Sequence, residues 1–224
     1  MAIRAILFDA VGTLIEPHPP VAAAYKRHGD RYGSTLAEPE ILERFKAAYI
    51  ATDWSGTTCF NVERNRWRGV VDRVFAGTVT DPRPLFEDLW KHFAEPQHWR
   101  LFPDVLPSWS LLEERGYQLG IASNFDQRLL GIAEHFKPLS QAKALFCSAE
   151  FGFSKPDVKF FRAAEQELGL PATELLMVGN DLQNDVFGPR SAGWQAIHLD
   201  RDGVQLRPDS IKSLREVLSV ISKR

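Results

Sequence analysis

Short apolar runs separated by turn residues recur along the chain and predict buried strands. Four of these runs are well defined, and a fifth is shorter and partly polar. They cover residues 5–8, 118–122, 144–147, 175–178 and 196–199. Between the last four runs, apolar residues recur at helical spacing. Strands that alternate with helices of this length predict a parallel sheet with helices on both faces, which is a three-layer α/β/α arrangement.

The segment from about residue 16 to about residue 98 has a different pattern, because it contains no strand-like run. Its apolar residues lie three and four positions apart, which predicts helices. The predicted helices cover residues 22–32, 41–51, 63–75 and 85–93, with breaks at Pro39, 54–56, Gly77 and 82–84. We therefore predict one α/β domain made of residues 1–15 and 99–224, with residues 16–98 inserted into it as a helical domain.

Composition and charge exclude several classes of protein. The chain has 224 residues, 44% hydrophobic and 25% charged, and a formal net charge of -2, which gives no reason to expect nucleic acid or an anionic membrane as a partner. Its two cysteines, Cys59 and Cys147, are too few for a disulfide framework and indicate reduced thiols. No apolar run approaches the ~20 residues that span a bilayer, and residues 1–4 have no signal-peptide pattern, so we expect a cytoplasmic protein.

Polar residues directly follow the first two predicted strands. Asp9 ends the first strand, and open α/β sheets bind ligands at the carboxyl ends of their strands. Ser123 and Asn124 follow the second strand and precede a helix. A hydroxyl beside the N–H groups of a helix start can hold an anion, although a helix cap is the more common role of such a residue when Ser123 is taken alone.

Two further polar signals follow later strands. Lys155 lies just before a predicted helix start, and residues 179–185 (Gly-Asn-Asp-Leu-Gln-Asn-Asp) are rich in the oxygen ligands that magnesium prefers. Taken alone, Lys155 would be a solvated surface charge and residues 179–185 an Asx-rich turn. Because all four signals fall at the carboxyl ends of predicted strands, we expect them to converge in one cleft beneath the helical segment.

The order Asp9, Ser123, Lys155 and acidic cluster resembles the four motifs of the haloacid dehalogenase-like (HAD) hydrolases. The resemblance covers essentially the whole chain and implies a Rossmann-like core, with the helical segment matching the cap inserted after the first motif. Residues 65–71, 121–129 and 188–193 are similar to the subgroup named for haloacid dehalogenase-like hydrolase domain-containing protein 3.

The resemblance implies a role for each of these residues. Asp9 would be the nucleophile, attacking phosphorus to give an aspartyl-phosphate, and also a ligand of Mg²⁺. The backbone carbonyl of Val11 would be a second metal ligand. Ser123 would hold a phosphoryl oxygen, and Lys155 would neutralise Asp9 and the developing charge. Two further residues, Thr13 and Asn124, would complete the substrate-binding loops, with Thr13 bracing the loop that positions Asp9.

Two positions depart from the family pattern. Phosphatases of the family carry a second Asp two residues after the nucleophile, as general acid and base, and here that position is Val11. Positioned acid–base catalysis contributes roughly 10²–10⁴-fold, so we expect activated leaving groups to suffer least. In the fourth motif the metal-binding Asp falls on Asn180 in strict register and on Asp181 in a register shifted by one. We favour Asp181, bound to the metal directly or through water.

Three functions are compatible with these residues. The first is a Mg²⁺-dependent phosphatase of low activity acting on a small phosphorylated metabolite, with neither nucleic acid nor membrane as a partner. The second is a metal-independent 2-haloacid dehalogenase, since halide leaves without a proton. The third is a ligand-binding or interaction protein that has lost the acid. The acidic cluster favours the first, and a dehalogenase would also carry a Tyr where this chain has Phe161.

The substrate is expected to be selected by the helical segment. Trp54, Phe60 and Trp67 lie in that segment and are candidates to line the cleft. Aromatic residues in helices more often belong to the core. The sequence therefore leaves two possibilities for these residues, a place in the cleft lining and a place in the core.

Overall fold

The computed structural model describes residues 2–204, 207 and 210–222. Within these residues there are seven strands. In chain order they are β1 (Ala5–Phe8), β2 (Ile15–Pro17), β3 (Trp99–Leu101), β4 (Gln118–Ser123), β5 (Ala144–Cys147), β6 (Leu175–Gly179) and β7 (Gln195–His198). Five of them form a parallel sheet in the order β5-β4-β1-β6-β7. These five strands are the predicted ones, and their ends differ from the prediction by one residue at most.

Ten α-helices lie in the described part of the chain. They are α1 (Val21–Arg31), α2 (Glu38–Ile50), α3 (Phe60–Val74), α4 (Pro82–His92), α5 (Val105–Glu114), α6 (Arg128–His135), α7 (Ser148–Phe151), α8 (Val158–Leu168), α9 (Gly188–Ser191) and α10 (Val217–Ile221). Helix α8 shows how the sequence sets such limits. The Asp157 side chain accepts a hydrogen bond from the Lys159 N–H at the start of the helix, and Gly169 ends it at φ +63°.

The central strand β1 shows that both faces of the sheet are covered. Its side chains alternate, so Ile6 and Phe8 belong to the apolar cluster on one face and Ala5 and Leu7 to the cluster on the other. All four residues are at most 1% exposed. A run without polar residues is what a strand buried on both faces requires, and this confirms the predicted α/β fold.

Helices α1 to α4 pack around an apolar cluster of their own. Tyr25, Ile41, Val70 and Phe86 are buried in it, one from each helix. The four helices lie at the predicted places, but α2 and α4 begin earlier than predicted, with Pro39 and Pro82 inside their first turns. Proline was taken as a break, which was wrong here, because its missing N–H has no helical partner in the first turn. The domain limits at residues 15/16 and 98/99 stay a prediction.

Two short strands at the ends of the helical segment were missed. β2 and β3 pair antiparallel, with Ile15 opposite Leu101 and Pro17 opposite Trp99. Each strand has three residues, too few to show a period of two. The pair brings the two ends of the helical segment together beside the end of β1.

The described residues also bear on the membrane and the cysteines. No helix among them is long and apolar enough to cross a membrane. Both cysteines are free thiols, Cys59 exposed and Cys147 buried. Burial raises the pKa of the Cys147 thiol, so this side chain is inert at neutral pH.

Candidate active site

A buried charge cluster lies at the carboxyl ends of β1, β4 and β6. The Lys155 ammonium donates to Asp9 Oδ1 at 2.9 Å, to Asp185 Oδ1 at 2.6 Å and to the Ala122 carbonyl at 2.8 Å. The Ser123 hydroxyl donates to the same Asp9 Oδ1 at 3.0 Å. Three residues predicted from separate motifs, Asp9, Ser123 and Lys155, therefore meet at one oxygen atom.

The cluster is arranged so that Lys155 keeps its charge. Burial lowers the pKa of the lysine, but the carboxylates of Asp185 and Asp9 outweigh burial and raise this pKa above its ordinary value. Burial raises the pKa of Asp185, against the attraction of Lys155, which lowers it. Lys155 is 3% exposed and all three of its ammonium protons have acceptors, so its position is fixed before any ligand arrives.

The Asn124 side chain holds Lys155 in place through the backbone. Its Nδ2 donates to the Lys155 carbonyl at 2.8 Å, and its Oδ1 accepts from the Lys155 N–H at 2.8 Å. This reciprocal pair ties the end of β4 to the segment that carries the lysine. Asn124 was predicted to bind substrate, and that role stays a prediction. The contact shown is one that positions Lys155.

The loop after β1 is tied to the loop after β6. The Thr13 hydroxyl donates to Asn180 Oδ1 at 3.0 Å. Gly12 has φ +84°, and a Cβ built there would lie 2.7 Å from Asn180 Nδ2. Only glycine allows both this backbone conformation and this close approach. The contact joins the two loops, and the role of Thr13 in bracing the loop that carries Asp9 stays a prediction.

The acidic residues after β6 are divided between two tasks. Asp181 is exposed and accepts from the Asn184 N–H at 2.7 Å, where it caps the π-helical turn Leu182–Phe187. Asp185 is buried, with one oxygen on Lys155 and the other accepting from the Asp181 N–H at 3.0 Å. Sequence reasoning missed Asp185 as a partner of Lys155. The signal was present, since a buried lysine needs carboxylates and the Asp-x-x-x-Asp spacing supplied one.

Oxygen donors suited to a cation lie at this end of the sheet. The Asp9 carboxylate and the backbone carbonyl of Val11 are two of these donors. Asn180 and Asp181 follow on the neighbouring loop. Among the described residues, no group of three His, Cys, Asp or Glu side chains is placed to hold a metal. The donors fit Mg²⁺, which binds through one or two carboxylates and keeps several waters, and they would bind it weakly.

The cleft has two lobes, and the helical segment forms much of both. The polar lobe has a volume of about 510 Å³, and the apolar lobe has a volume of about 320 Å³. The polar lobe is defined by Glu63, Ser154, Lys155, Asp157, Asp181 and Asn184. The apolar lobe is defined by Val11, Phe45, Val71, Phe86, Leu89 and Trp90. Tyr49, Trp67 and Asn124 line both lobes, so they mark where the lobes join.

Of the three aromatic candidates, Trp54 and Trp67 line the cleft and Phe60 lines neither lobe. Trp54 and Trp67 line the polar lobe and also pack against the apolar cluster of the helical segment, so both interpretations hold for them. Phe60 packs edge-on against Trp90, with ring centroids 5.8 Å apart.

A parallel sheet with an Asp, a Ser, a Lys and an acidic loop at its carboxyl edge defines a class of hydrolase, and comparison with known proteins identifies it. The profile of the haloacid dehalogenase-like hydrolases matches residues 3–193. The chain belongs to this family and is a hydrolase. The resemblance predicted from the four motifs is therefore confirmed.

Individual relatives give the same result. Human haloacid dehalogenase-like hydrolase domain-containing protein 3 is 30% identical over 209 residues, which cover 86% of this chain and 80% of the human protein. A HAD phosphatase from Thermococcus onnurineus matches with a TM-score of 0.70 at 22% identity, covering 98% of both chains. A 2-haloacid dehalogenase from Pseudomonas syringae matches with a TM-score of 0.64 at 22% identity, covering 99% of both chains. The two structures share the fold with this chain although their names state different reactions.

Proposed function

We propose that this hydrolase is a Mg²⁺-dependent phosphatase of low activity, which cleaves a small phosphorylated molecule through an aspartyl-phosphate. The observation that carries the proposal is the state of the Asp9 carboxylate. Ser123 and Lys155 both donate to its Oδ1. A carboxylate fixed through one oxygen presents the other to an electrophile in a defined orientation.

The proposed reaction has two displacements at phosphorus. Asp9 Oδ2 forms a bond to phosphorus while the bond to the leaving oxygen breaks, and the electron pair leaves with that oxygen. Water then attacks the aspartyl-phosphate, releasing inorganic phosphate and restoring the carboxylate. Lys155 reduces the repulsion between the Asp9 carboxylate and the phosphoryl group, because its ammonium lies 2.9 Å from Oδ1.

The proposed metal site uses the oxygen donors described above. Asp9, the Val11 carbonyl and Asn180 or Asp181 would hold Mg²⁺, which when bound supplies positive charge to the phosphoryl oxygens. Asn180 Oδ1 already accepts from Thr13, and Asp181 uses one oxygen to cap the following turn. The second oxygen of Asp181 favours it over Asn180. Addition of MgCl₂ should raise the melting temperature in the presence of a phosphate mimic such as vanadate. An unchanged melting temperature on addition of MgCl₂, with or without vanadate, contradicts the metal site.

Val11 shapes the range of substrates. Its side chain cannot protonate a leaving alkoxide, so alkyl phosphates should react slowly. Acyl and aryl phosphates have leaving groups that depart without a proton, so the loss of the acid affects them least.

The decisive experiment measures phosphate release from p-nitrophenyl phosphate and acetyl phosphate with Mg²⁺. Asp9→Asn should abolish release, because it removes the nucleophile. Asp30→Asn, which changes an exposed carboxylate of α1 in the same way, should leave it unchanged. Turnover that survives in Asp9→Asn places the chemistry elsewhere. Chloride release from 2-chloropropionate without metal, and no phosphate release, identifies a dehalogenase. If neither phosphate nor chloride is released, a binding protein is favoured.

A further inference from the structure

We propose that the apolar lobe binds the leaving group of the substrate, and that this group is an aromatic ring system. The proposal rests on the phosphatase function and names its substrate class, an aryl phosphate. It is carried by the position, lining, size and charge of the lobe.

The position of the lobe connects it to the reacting centre. Val11 lies two residues after Asp9 and lines the apolar lobe, while Lys155 and Asp181 line the polar lobe. Asn124, whose side chain holds the backbone of Lys155, lines both lobes. A phosphoryl group at Asp9 would therefore have charged groups on one side and an apolar chamber on the other.

The lining is aromatic and comes mainly from the helical segment. Phe45, Trp67, Phe86 and Trp90 contribute rings from α2, α3 and α4. Flat surfaces of this kind favour a flat ligand, since stacked and edge-to-face ring pairs add to the burial of apolar area.

The size of the lobe fits more than one ring. A dry apolar cavity of roughly 150 Å³ binds benzene. The lobe has a volume of about 320 Å³, which is enough for two fused rings and small for an extended lipid chain.

The charge of the lobe favours a neutral group. Arg128 lines the lobe, but its guanidinium makes two hydrogen bonds of 2.8 Å to the buried Asp126 carboxylate. The guanidinium carbon also lies 3.3 Å from the centroid of the Trp90 ring. Its charge is thus compensated and its plane is part of the wall. None of the described residues that line the lobe is acidic.

The chemistry of Val11 also favours an aryl leaving group. An aryl oxide leaves with the electron pair of the broken P–O bond and takes its proton from solvent water, so it needs no acid from the protein. The substitution that removes the acid also extends the apolar wall to the nucleophile. One residue therefore accounts for both the lost proton donor and the apolar entrance.

The first test compares phosphates that differ by one ring. Phenyl and 1-naphthyl phosphate have leaving groups of similar acidity, so a difference between them reports on the lobe. The kcat/KM for 1-naphthyl phosphate should exceed that for phenyl phosphate by at least about tenfold, the effect of burying several more apolar carbons. Equal values overturn the proposal while leaving the phosphatase function standing.

The second test fills the lobe. Val21 is partly exposed at the start of α1 and lines the lobe. Val21→Trp should lower the ratio of kcat/KM for 1-naphthyl phosphate to that for acetyl phosphate by about tenfold, because the added ring occupies the same space. Leu42→Trp adds the same side chain on an exposed face of α2 and should not change the ratio. An unchanged ratio in folded Val21→Trp contradicts the proposal.

A third test does not depend on turnover. Calorimetry should detect 1-naphthol binding to the wild-type protein, and Val21→Trp should weaken that binding. If no phosphate is hydrolysed but 1-naphthol binds in this way, the phosphatase function fails and the aromatic lobe stands. If 1-octanol binds and 1-naphthol does not, the occupant is an alkyl chain and the proposal is wrong.

Discussion

The sheet edge and the helical segment bury their polar groups in opposite ways. At the sheet edge, Lys155 gives each of its three protons to an acceptor. In the helical segment, His28 Nε2 and His92 Nδ1 are 3.3 Å apart, while the other nitrogen of each ring is buried without a partner among the described residues. The first region gives the Lys155 ammonium a full set of acceptors, and the second leaves neutral rings half satisfied.

This difference follows from the function that we propose for each region. In the proposed reaction Asp9 is the nucleophile, and the contacts of its Oδ1 with Ser123 and Lys155 would hold it in one orientation before substrate binds. The helical segment must offer shape and apolar surface, so its aromatic side chains set the cleft and its histidines are tolerated as uncharged rings. We therefore infer that the strand ends carry the chemistry and that the helices set the selectivity.

The largest effect should come from breaking the charge network. Lys155→Met leaves two buried carboxylates without their cation, which costs about 3–5 kcal/mol of stability. Hydrolysis of p-nitrophenyl phosphate should fall by about 10²–10³-fold or more. Urea unfolding and phosphate release measure the two effects.

Two further variants control this experiment. Lys159→Met changes an exposed lysine of α8 in the same way and should alter neither quantity by much. Lys155→Met combined with Asp185→Asn should recover part of the stability and none of the activity. Normal activity in Lys155→Met would mean that the network has no catalytic part.

The next effect tests the apolar boundary at Val11. Val11→Asp should raise the hydrolysis of alkyl phosphates by about 10–100-fold, since it restores a proton donor beside Asp9. Acetyl phosphate should gain little. Val11→Asn has the same shape without an ionisable proton and should give no gain. If Val11→Asn accelerates the reaction equally, polarity rather than proton transfer explains the change.

A smaller effect distinguishes the cost of a left-handed backbone at Gly12 from the cost of losing its close approach to Asn180. Gly12 and Gly116 both have φ +84°, but only at Gly12 would a Cβ meet another group, the Asn180 amide. Each alanine substitution should cost about 1–2 kcal/mol for the left-handed backbone. Gly12→Ala should also weaken Mg²⁺ binding and turnover, whereas Gly116→Ala should not. Calorimetry with Mg²⁺ and phosphate release distinguish them. Equal kinetics in the two variants would show that the contact has no functional weight.

The smallest effect concerns the histidines. Burial, with the nearby His98, His28 and Arg27, lowers the pKa of His92 to about 3, and burial with Arg31 and Arg27 lowers that of His28. As pH falls below about 6.5, the unfolded chain binds protons that the folded chain does not, so stability falls as pH falls toward 3.

The free energy of unfolding between pH 7.5 and 5 measures this slope. His92→Leu should reduce the slope by up to about 1.4 kcal/mol per pH unit. His135→Gln, at an exposed position of α6, should leave the slope as it is. If His92→Leu keeps the wild-type slope, groups other than His92 bind these protons.

The local pattern of the sequence determined the five sheet strands, the four helices of the inserted segment and the positions of Asp9 and Ser123 at strand ends. Lys155 was expected at a strand end as well, but it follows α7, eight residues after the end of β5. Apolar periodicity carries this information because burial acts on neighbouring residues of one element. The missing proton donor was also visible, since the identity of residue 11 depends on no contact.

Only the tertiary structure decided what these residues touch. The partnership of Lys155 with Asp185, the backbone pairing of Asn124 with Lys155 and the approach of Gly12 to Asn180 join residues that lie 30 or more positions apart. The β2–β3 pair was hidden because three residues show no period. Its two strands are also far apart in the sequence, with Glu16 and Arg100 paired across 84 positions. The two-lobed cleft was hidden for the same reason. Its walls belong to separate elements, and their distances are set by packing across the whole molecule, which no local pattern records.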